Sequence, residues 1–214
     1  RLTEKVNVQL PPAAQVAAQT GIAHTRWATH GAPTEANAHP HAAAAGRLCL
    51  VHNGIIENYR AIRARLEAKG HIFVSETDTE ALARLIGEHY QGDLRKAVGQ
   101  ALAQVEGAYG IAVLAVDQPG VLVVARKGSP LVLGLGDGET LVASDAAALV
   151  AHTRRVIYLD DGDIAVLTAE SVDIRDRHDV IREREVAELG LTAGAVEKGG
   201  YAHFMLKEIY EQPE

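Results

Sequence analysis

Tyr109-Gly-Ile-Ala-Val-Leu-Ala-Val-Asp-Gln-Pro-Gly-Val-Leu-Val-Val-Ala-Arg126 decides the fold class. Two apolar runs, Tyr109–Val116 and Val121–Arg126, flank Asp117-Gln-Pro-Gly120, a turn with Pro and Gly placed for it. The pattern repeats downstream. Leu131–Leu135 and Thr140–Ala143 flank Gly136-Asp-Gly138, Val156–Leu159 and Asp163–Thr168 flank Asp160-Asp-Gly162, and Val172–Arg175 and Val180–Arg184 flank Asp176–Asp179. Serial hairpins predict mainly antiparallel sheet.

Upstream the period is helical. Asn58 is placed to cap a helix with Tyr59, Ile62 and Leu66 on its apolar face, stopped at Gly70. A short strand at His71–Val74 follows. Thr77-Asp-Thr-Glu80 has capping-box spacing ahead of Leu82, Leu85, Ile86 and Tyr90, and Asp93 is placed to cap a third helix with Leu94, Val98, Leu102 and Val105. Before these, Gly21–Arg26 reads as a strand entering the loop Trp27–His41, and Arg47–His52 as a strand ending at an Asn53–Gly54 turn. Residues 1–19 read as a polar start with a Pro11–Pro12 break, Ala193–Gly200 as a loose tail and Tyr201–Glu211 as a helix. A sheet apolar on both faces must be covered on both, which gives an α+β layered sandwich.

Composition narrows the function. The chain has 214 residues, 47% hydrophobic and 23% charged, with a net charge of 21 − 28 = −7. An acidic chain with no dominant basic stretch is a poor ligand for nucleic acid. Its longest apolar runs fall far short of the roughly 20 residues a membrane span needs. The single cysteine, Cys49, cannot form an internal disulfide, which predicts a reducing, cytoplasmic setting.

Several side chains are suited to chemistry. Arg26 carries a planar fork that matches a carboxylate, or makes a structural ion pair. Asn53 and the Gly54 N–H can converge on one oxygen as an oxyanion hole, or simply form a turn. Asp78 opens a helix, where the dipole favours a carboxylate, and capping is its plainer role. Trp27, the sole tryptophan, reads as core packing when taken alone. Cys49 with His52 is a candidate nucleophile and base, but positions three apart on a strand diverge, and Cys49 reads as a core thiol. His24, His39 and His41 are a candidate metal set lacking any helical ligand spacing. Together, a cation and an anion would grip an α-amino acid, and an amide with a backbone donor would hold a developing oxyanion.

Seven motifs then occur in order: Thr25-Arg-Trp-Ala-Thr-His-Gly31 with Asn37-Ala-His-Pro-His41, Val51-His-Asn-Gly-Ile-Ile-Glu-Asn58, Ser75-Glu-Thr-Asp-Thr-Glu80, Gly107-Ala-Tyr-Gly110, Gly128-Ser-Pro-Leu131, Ala143-Ser-Asp145 and Lys207-Glu-Ile-Tyr-Glu-Gln-Pro213. On these residues the chain resembles the glutaminase domains of class II glutamine amidotransferases. Within them it is most similar to the glutamine–fructose-6-phosphate aminotransferase (glucosamine-6-phosphate synthase) branch.

The resemblance implies an N-terminal-nucleophile hydrolase fold, a four-layer αββα sandwich. It implies a glutaminase domain over residues 1–200, with an exit helix and the start of a linker over 201–214. It implies that Arg26 binds the α-carboxylate of L-glutamine and Asp78 its α-ammonium, while Asn53 and Gly54 stabilise the oxyanion. Trp27, Thr29 and His30 would line the pocket; Gly31, Asn37 and His39 would support its loop. No metal or organic cofactor is implied. The partner is a sugar isomerase domain of the same full-length chain, acting on fructose 6-phosphate, in a homo-oligomer. The family's nucleophile, an N-terminal cysteine followed by Gly-Ile-Val-Gly, has no counterpart in these residues. The expectation is therefore a truncated domain, missing its first strands and inactive without that cysteine. The alternatives are a non-catalytic glutamine-binding module, or the glutaminase domain of another class II amidotransferase.

Overall fold

A computed structural model describes residues 19–190 and 203–211. Residues 1–18 of the predicted polar start (1–19) and the predicted loose tail (193–200) lie outside the described residues. The large sheet has the order β1-β2-β3-β4-β8-β9, built from β1 (His41–Ala43), β2 (Leu48–Ile56), β3 (Gly107–Ala115), β4 (Leu122–Lys127), β8 (Ile164–Leu167) and β9 (Val172–Arg175). The small sheet has the order β10-β7-β5-β6, from β5 (Val132–Leu135), β6 (Thr140–Ala143), β7 (Arg155–Tyr158) and β10 (Ala187–Glu188). Every paired strand is antiparallel. Three helices follow β2: α1 (Tyr59–Ala68), α2 (Asp78–His89) and α3 (Leu94–Leu102); α4 (Phe204–Glu211) lies near the end of the chain.

The continuous apolar runs of the central strands reflect a sheet covered on both faces. Side chains alternate along each strand. Leu48, Leu50, Ile111, Val113, Val123 and Ala125 therefore join the helix-side core with Ile62, Leu66, Leu82, Leu85, Ile86 and Val98. Val51, Ala112, Leu122 and Val124 turn the other way and meet Leu133, Ile157 and Leu159 between the sheets. The outer face of the small sheet packs Val132 and Val156 against Leu149 and Leu189. The described residues thus form a helix layer, two sheets and an outer cover containing the 3-10 turn Ala146–Ala148, the α+β sandwich expected.

Local chemistry explains most boundaries. Thr77 caps α2 by accepting the Glu80 N–H at 3.1 Å, and Asp93 caps α3 by accepting that of Lys96 at 2.9 Å. The 109–126 hairpin, the β5–β6 hairpin and the α2 and α3 faces form as read.

Several expectations are corrected. Asn58 does not cap α1; its amide donates to Gln104 O and accepts the Glu106 N–H, tying the helix start to the approach of β3. The capping box is one-sided, because the Glu80 carboxylate takes the Val74 and Ser75 N–H groups and Arg84 instead. His71–Val74 is not a strand: its first N–H goes to the Leu66 carbonyl and its last to the Glu80 carboxylate, and Ile72 and Val74 are exposed. Gly21–Arg26 likewise carries no strand. β1 and β10 have no sequence pattern that predicts them, and Val180–Arg184 makes only an isolated bridge, Arg175↔Ile181, in place of a hairpin.

Two corrections bear on the site. Asp160-Asp-Gly162 is not a hairpin turn, since β7 and β8 belong to different sheets. Asp163, buried, accepts the Asp160 N–H at 2.8 Å and both forks of Arg184, fixing the corner where the chain changes sheet. Nor does Asn53–Gly54 end a strand. β2 runs through it in register, with Gly54 opposite Tyr109 and Ile56 opposite Gly107. Gly54 has φ +122° and Gly107 φ +118°, and a Cβ on either would lie 2.2 Å from a carbonyl oxygen, of Ala108 and Ile55 respectively. Only glycine tolerates this close, reciprocal approach.

Gly107→Ala is expected to destabilise the protein by about 2–3 kcal/mol, the scale of a forced left-handed residue plus a backbone clash. Thr77→Ala removes a cap and should lower Tm by about 2–4 °C, about 1 kcal/mol at this size. Denaturant and thermal melts of the two variants check both values.

Candidate active site

A cavity of about 110 Å³ lies where three pieces of chain meet: the 24–39 loop, the distorted middle of β2, and the N-terminus of α2. It is small against the roughly 300–1,000 Å³ of drug-sized sites. Arg26, Trp27, Thr29, His30, His39, Asn53, Gly54 and Asp78 all border it, as do His24, His52, Thr77 and Thr79.

Asp78 is 3% exposed. It is the first residue of α2 rather than its cap. Its Oδ2 accepts the Ile56 N–H of β2 at 2.9 Å and its Oδ1 the Thr79 N–H at 3.0 Å. The Nδ1 atoms of His30 and His52 lie 3.8 and 4.0 Å from its oxygens. Two backbone donors and a helix N-terminus form a setting that favours a carboxylate.

The loop is folded around Arg26, which adopts φ +47°. Its Nη2 donates to the carbonyls of His30 (2.6 Å) and Gly31 (3.2 Å), and its Nη1 to that of Ala32 (3.1 Å). Three of the five guanidinium N–H donors are thus engaged and two are left over. Asn37 fixes the loop from outside: its Nδ2 donates to Ala32 O at 3.0 Å and Glu76 Oε2 at 3.2 Å, and its Oδ1 accepts the Glu76 N–H at 2.9 Å. Gly31, φ +77°, passes so close that a Cβ would lie 2.6 Å from Asn37 Nδ2. Neither Gly31 nor Asn37 borders the cavity; both hold what does. Trp27 is 91% exposed, so it is not a core residue.

Five histidines surround the site. His24 Nε2 lies 2.7 Å from Asn53 Oδ1, and His24 Nδ1 accepts the Arg26 N–H at 3.0 Å. His39 packs between His24 and His41, tilted against the first with ring centroids 4.4 Å apart and edge-on to the second at 5.3 Å. Burial, then His24, His41, His52 and Arg26, push its pKa down to about 3. Burial also lowers His41, whose Nε2 meets Thr77 Oγ1 at 2.9 Å, and His52, whose Nδ1 meets Thr79 Oγ1 at 3.1 Å. His30 packs edge-on against Tyr59. These contacts do not form a metal set: the His39 ring lies tilted against His24 and edge-on to His41, and both His24 nitrogens are engaged. Among the described residues no group of three could hold a metal ion.

Cys49 is half-buried rather than core. It borders a separate groove with Leu48, Leu114 and Val121, and burial pushes its thiol pKa up. It is not the nucleophile of this cavity. Sequence reading missed Thr79 as a cavity residue, and gave His24, His52 and Thr77 other roles. The available signal was adjacency, since each lies within two residues of a candidate already chosen. Neighbouring strand residues such as His52 and Asn53 point to opposite faces. The cavity touches both because His52 turns to α2 and Asn53 to the loop.

Residues 13–200 match the glutamine amidotransferase domain family. The chain is 56% identical over 193 residues to a protein of Thermus thermophilus named glutamine–fructose-6-phosphate aminotransferase [isomerizing], covering 90% of this chain and 32% of the relative. It is 53% identical over 201 residues to the protein of that name in Chlorobaculum tepidum, covering 92% and 33%. It thus spans about a third of the length of these curated relatives. Among solved structures, the B. subtilis glutamine phosphoribosylpyrophosphate amidotransferase is similar with TM-score 0.59 and 27% identity, over 74% of this chain and 35% of that one. An allosteric regulatory enzyme of purine biosynthesis matches with TM-score 0.57 and 26% identity, over 66% and 31%. A histidine-rich cavity between a strand and a helix N-terminus, the ordered motifs and these likenesses lead to one conclusion: the chain belongs to the glutamine amidotransferase domain family.

Proposed function

We propose that the cavity binds L-glutamine and hydrolyses its side-chain amide, the ammonia passing to fructose 6-phosphate in a sugar isomerase domain of the same full-length chain. One observation carries the reading: Arg26, Asp78, Asn53 and Gly54, from three separate stretches, border one small cavity. Free glutamine presents both charges at one end and a neutral amide at the other. Arg26 takes the carboxylate through the donors its loop carbonyls leave over, and Asp78 takes the ammonium. The Asn53 amide and the Gly54 N–H hold the oxygen that becomes negative as the amide is attacked. Thr29 and His30 line the cavity, and exposed Trp27 closes over the substrate near the exit for ammonia. Gly31, Asn37 and His39 keep the loop in place.

In this reading the nucleophile is the thiolate of an N-terminal cysteine, which these 214 residues do not supply. Its sulfur bonds to the amide carbon, the C–N bond breaks, and ammonia leaves carrying the proton taken from the thiol. Water then cleaves the thioester, giving glutamate and restoring the thiol. The branch that serves fructose 6-phosphate is supported by 56% identity to a relative of that name, against 27% to the phosphoribosylpyrophosphate enzyme. Arg26 and Asp78 give the cavity one permanent cation and one carboxylate, matched to a zwitterion.

In the full-length chain, changing the terminal cysteine to Ala should abolish glutamine hydrolysis, and Asp78→Asn should lower kcat/KM about 10- to 100-fold, the scale of one charge-assisted hydrogen bond. Persistent activity in the first, or no change in the second, overturns the reading. Calorimetry of the 214-residue chain with L-glutamine tests the binding half; binding together with an inert full-length chain means a glutamine-binding module.

The histidine shifts also set a pH dependence. His39 titrates near 6.5 when unfolded and about 3 when folded, so between those values the unfolded chain binds more protons. Stability should therefore fall as pH drops from about 6.5 toward about 3, and His39→Gln should flatten that part of the curve. Denaturant melts across the range check this.

A further inference from the structure

Asn53 can hold an oxyanion only if its NH₂, and not its carbonyl, faces the substrate. A carboxamide has no strong preference between its two orientations until a neighbour discriminates them. His24 is that neighbour. The Arg26 backbone N–H, which can only donate, meets His24 Nδ1 at 3.0 Å. Nδ1 must therefore present its lone pair, and the proton of the neutral ring sits on Nε2. Nε2–H lies 2.7 Å from the Asn53 side chain, and only an amide oxygen can accept it. The Asn53 carbonyl is thereby turned to the histidine, and its Nδ2, which has no hydrogen-bond partner among the described residues, is left for the cavity. The His39 ring, tilted against it with centroids 4.4 Å apart, braces the imidazole.

We propose that His24 is a positioning residue that fixes the orientation of the oxyanion-stabilising amide of Asn53 and couples it to the loop holding Arg26. The Arg26 N–H sets the His24 tautomer, and the tautomer sets the amide. Disorder in the loop then reaches the far end of the cavity without any direct contact between the carboxylate grip and the oxyanion hole. The inference rests on the glutaminase reading and specifies which side chain makes its electrostatics work.

Two substitutions separate the two hydrogen bonds of His24. His24→Gln places an amide N–H near the Nε2 position and can still donate to Asn53. His24→Asn places a carbonyl near the Nδ1 position, keeping the loop contact and losing the donor. In the full-length enzyme, His24→Asn should lower kcat for glutamine hydrolysis about 10- to 100-fold with KM changed by less than about threefold, the pattern of an interaction made in the transition state. His24→Gln should recover at least about a third of the wild-type kcat, and His24→Asn should add no further loss to Asn53→Ala. Thermal melts check folding; should His24→Asn fail to fold, a folded His24→Gln below about a tenth of wild-type kcat overturns the proposal by itself. Equal losses in the two variants, an effect confined to KM, or additive losses with Asn53→Ala also overturn it. A wild-type enzyme that does not hydrolyse glutamine defeats the glutaminase reading and the positioning role with it; an Asn53→Ala variant of full activity leaves that reading standing and overturns the positioning role alone.

Discussion

A buried carboxylate needs partners, and the way Asp78 finds them organises this protein. A charge removed from water without compensation costs several kcal/mol. Asp78 is compensated by the Ile56 N–H from β2 and the Thr79 N–H at the start of α2, with the His30 and His52 rings beside it at 3.8 and 4.0 Å. One side chain thus joins a strand, a helix N-terminus and a loop, the three pieces that enclose the cavity. The helix start that stabilises this negative charge is also what makes it a natural counterpart for a bound ammonium.

The same economy appears opposite Asp78. Gly54 and Gly107 let β2 and β3 approach so closely that each carbonyl occupies the space of the other strand's missing Cβ. The distortion falls beside Asn53, where an undistorted ladder would leave only alternating side chains. The guanidinium of Arg26 lies inside its own loop, bonded to three successive carbonyls. A cation held this way has its position set before any ligand arrives, which lowers the ordering entropy that binding must overcome.

Legibility in the sequence followed the range of the interactions. The 109–126 hairpin and the starts of α2 and α3 were readable because turn chemistry and caps act over four residues. His71–Val74 looked like a strand because a strand is what its apolar run Ile72-Phe73-Val74 favours; the Glu80 carboxylate, six residues on from Val74, takes the Val74 and Ser75 N–H groups instead. Asp160-Asp-Gly162 looked like a hairpin because the same turn residues serve equally well at a corner between two sheets. Arg26, Asn53, Gly54 and Asp78 were identifiable as types of chemistry, since a fork, an amide, a bare backbone donor and a carboxylate suit few ligands as a set.

Sequence alone therefore determined the class of the fold, the helix starts and the kinds of chemistry that Arg26, Asn53, Gly54 and Asp78 offer, because periodicity, capping and side-chain chemistry are local properties. Only the tertiary structure decided that β2 runs on past Asn53, that the chain changes sheet at Asp163, and that Trp27 stands in solvent. It alone brought His24 to the Asn53 amide, 29 residues away. Those outcomes depend on which groups meet across the sheet and around the loop, and hydrogen bonds between residues far apart in the chain leave no periodic trace in the order of its amino acids.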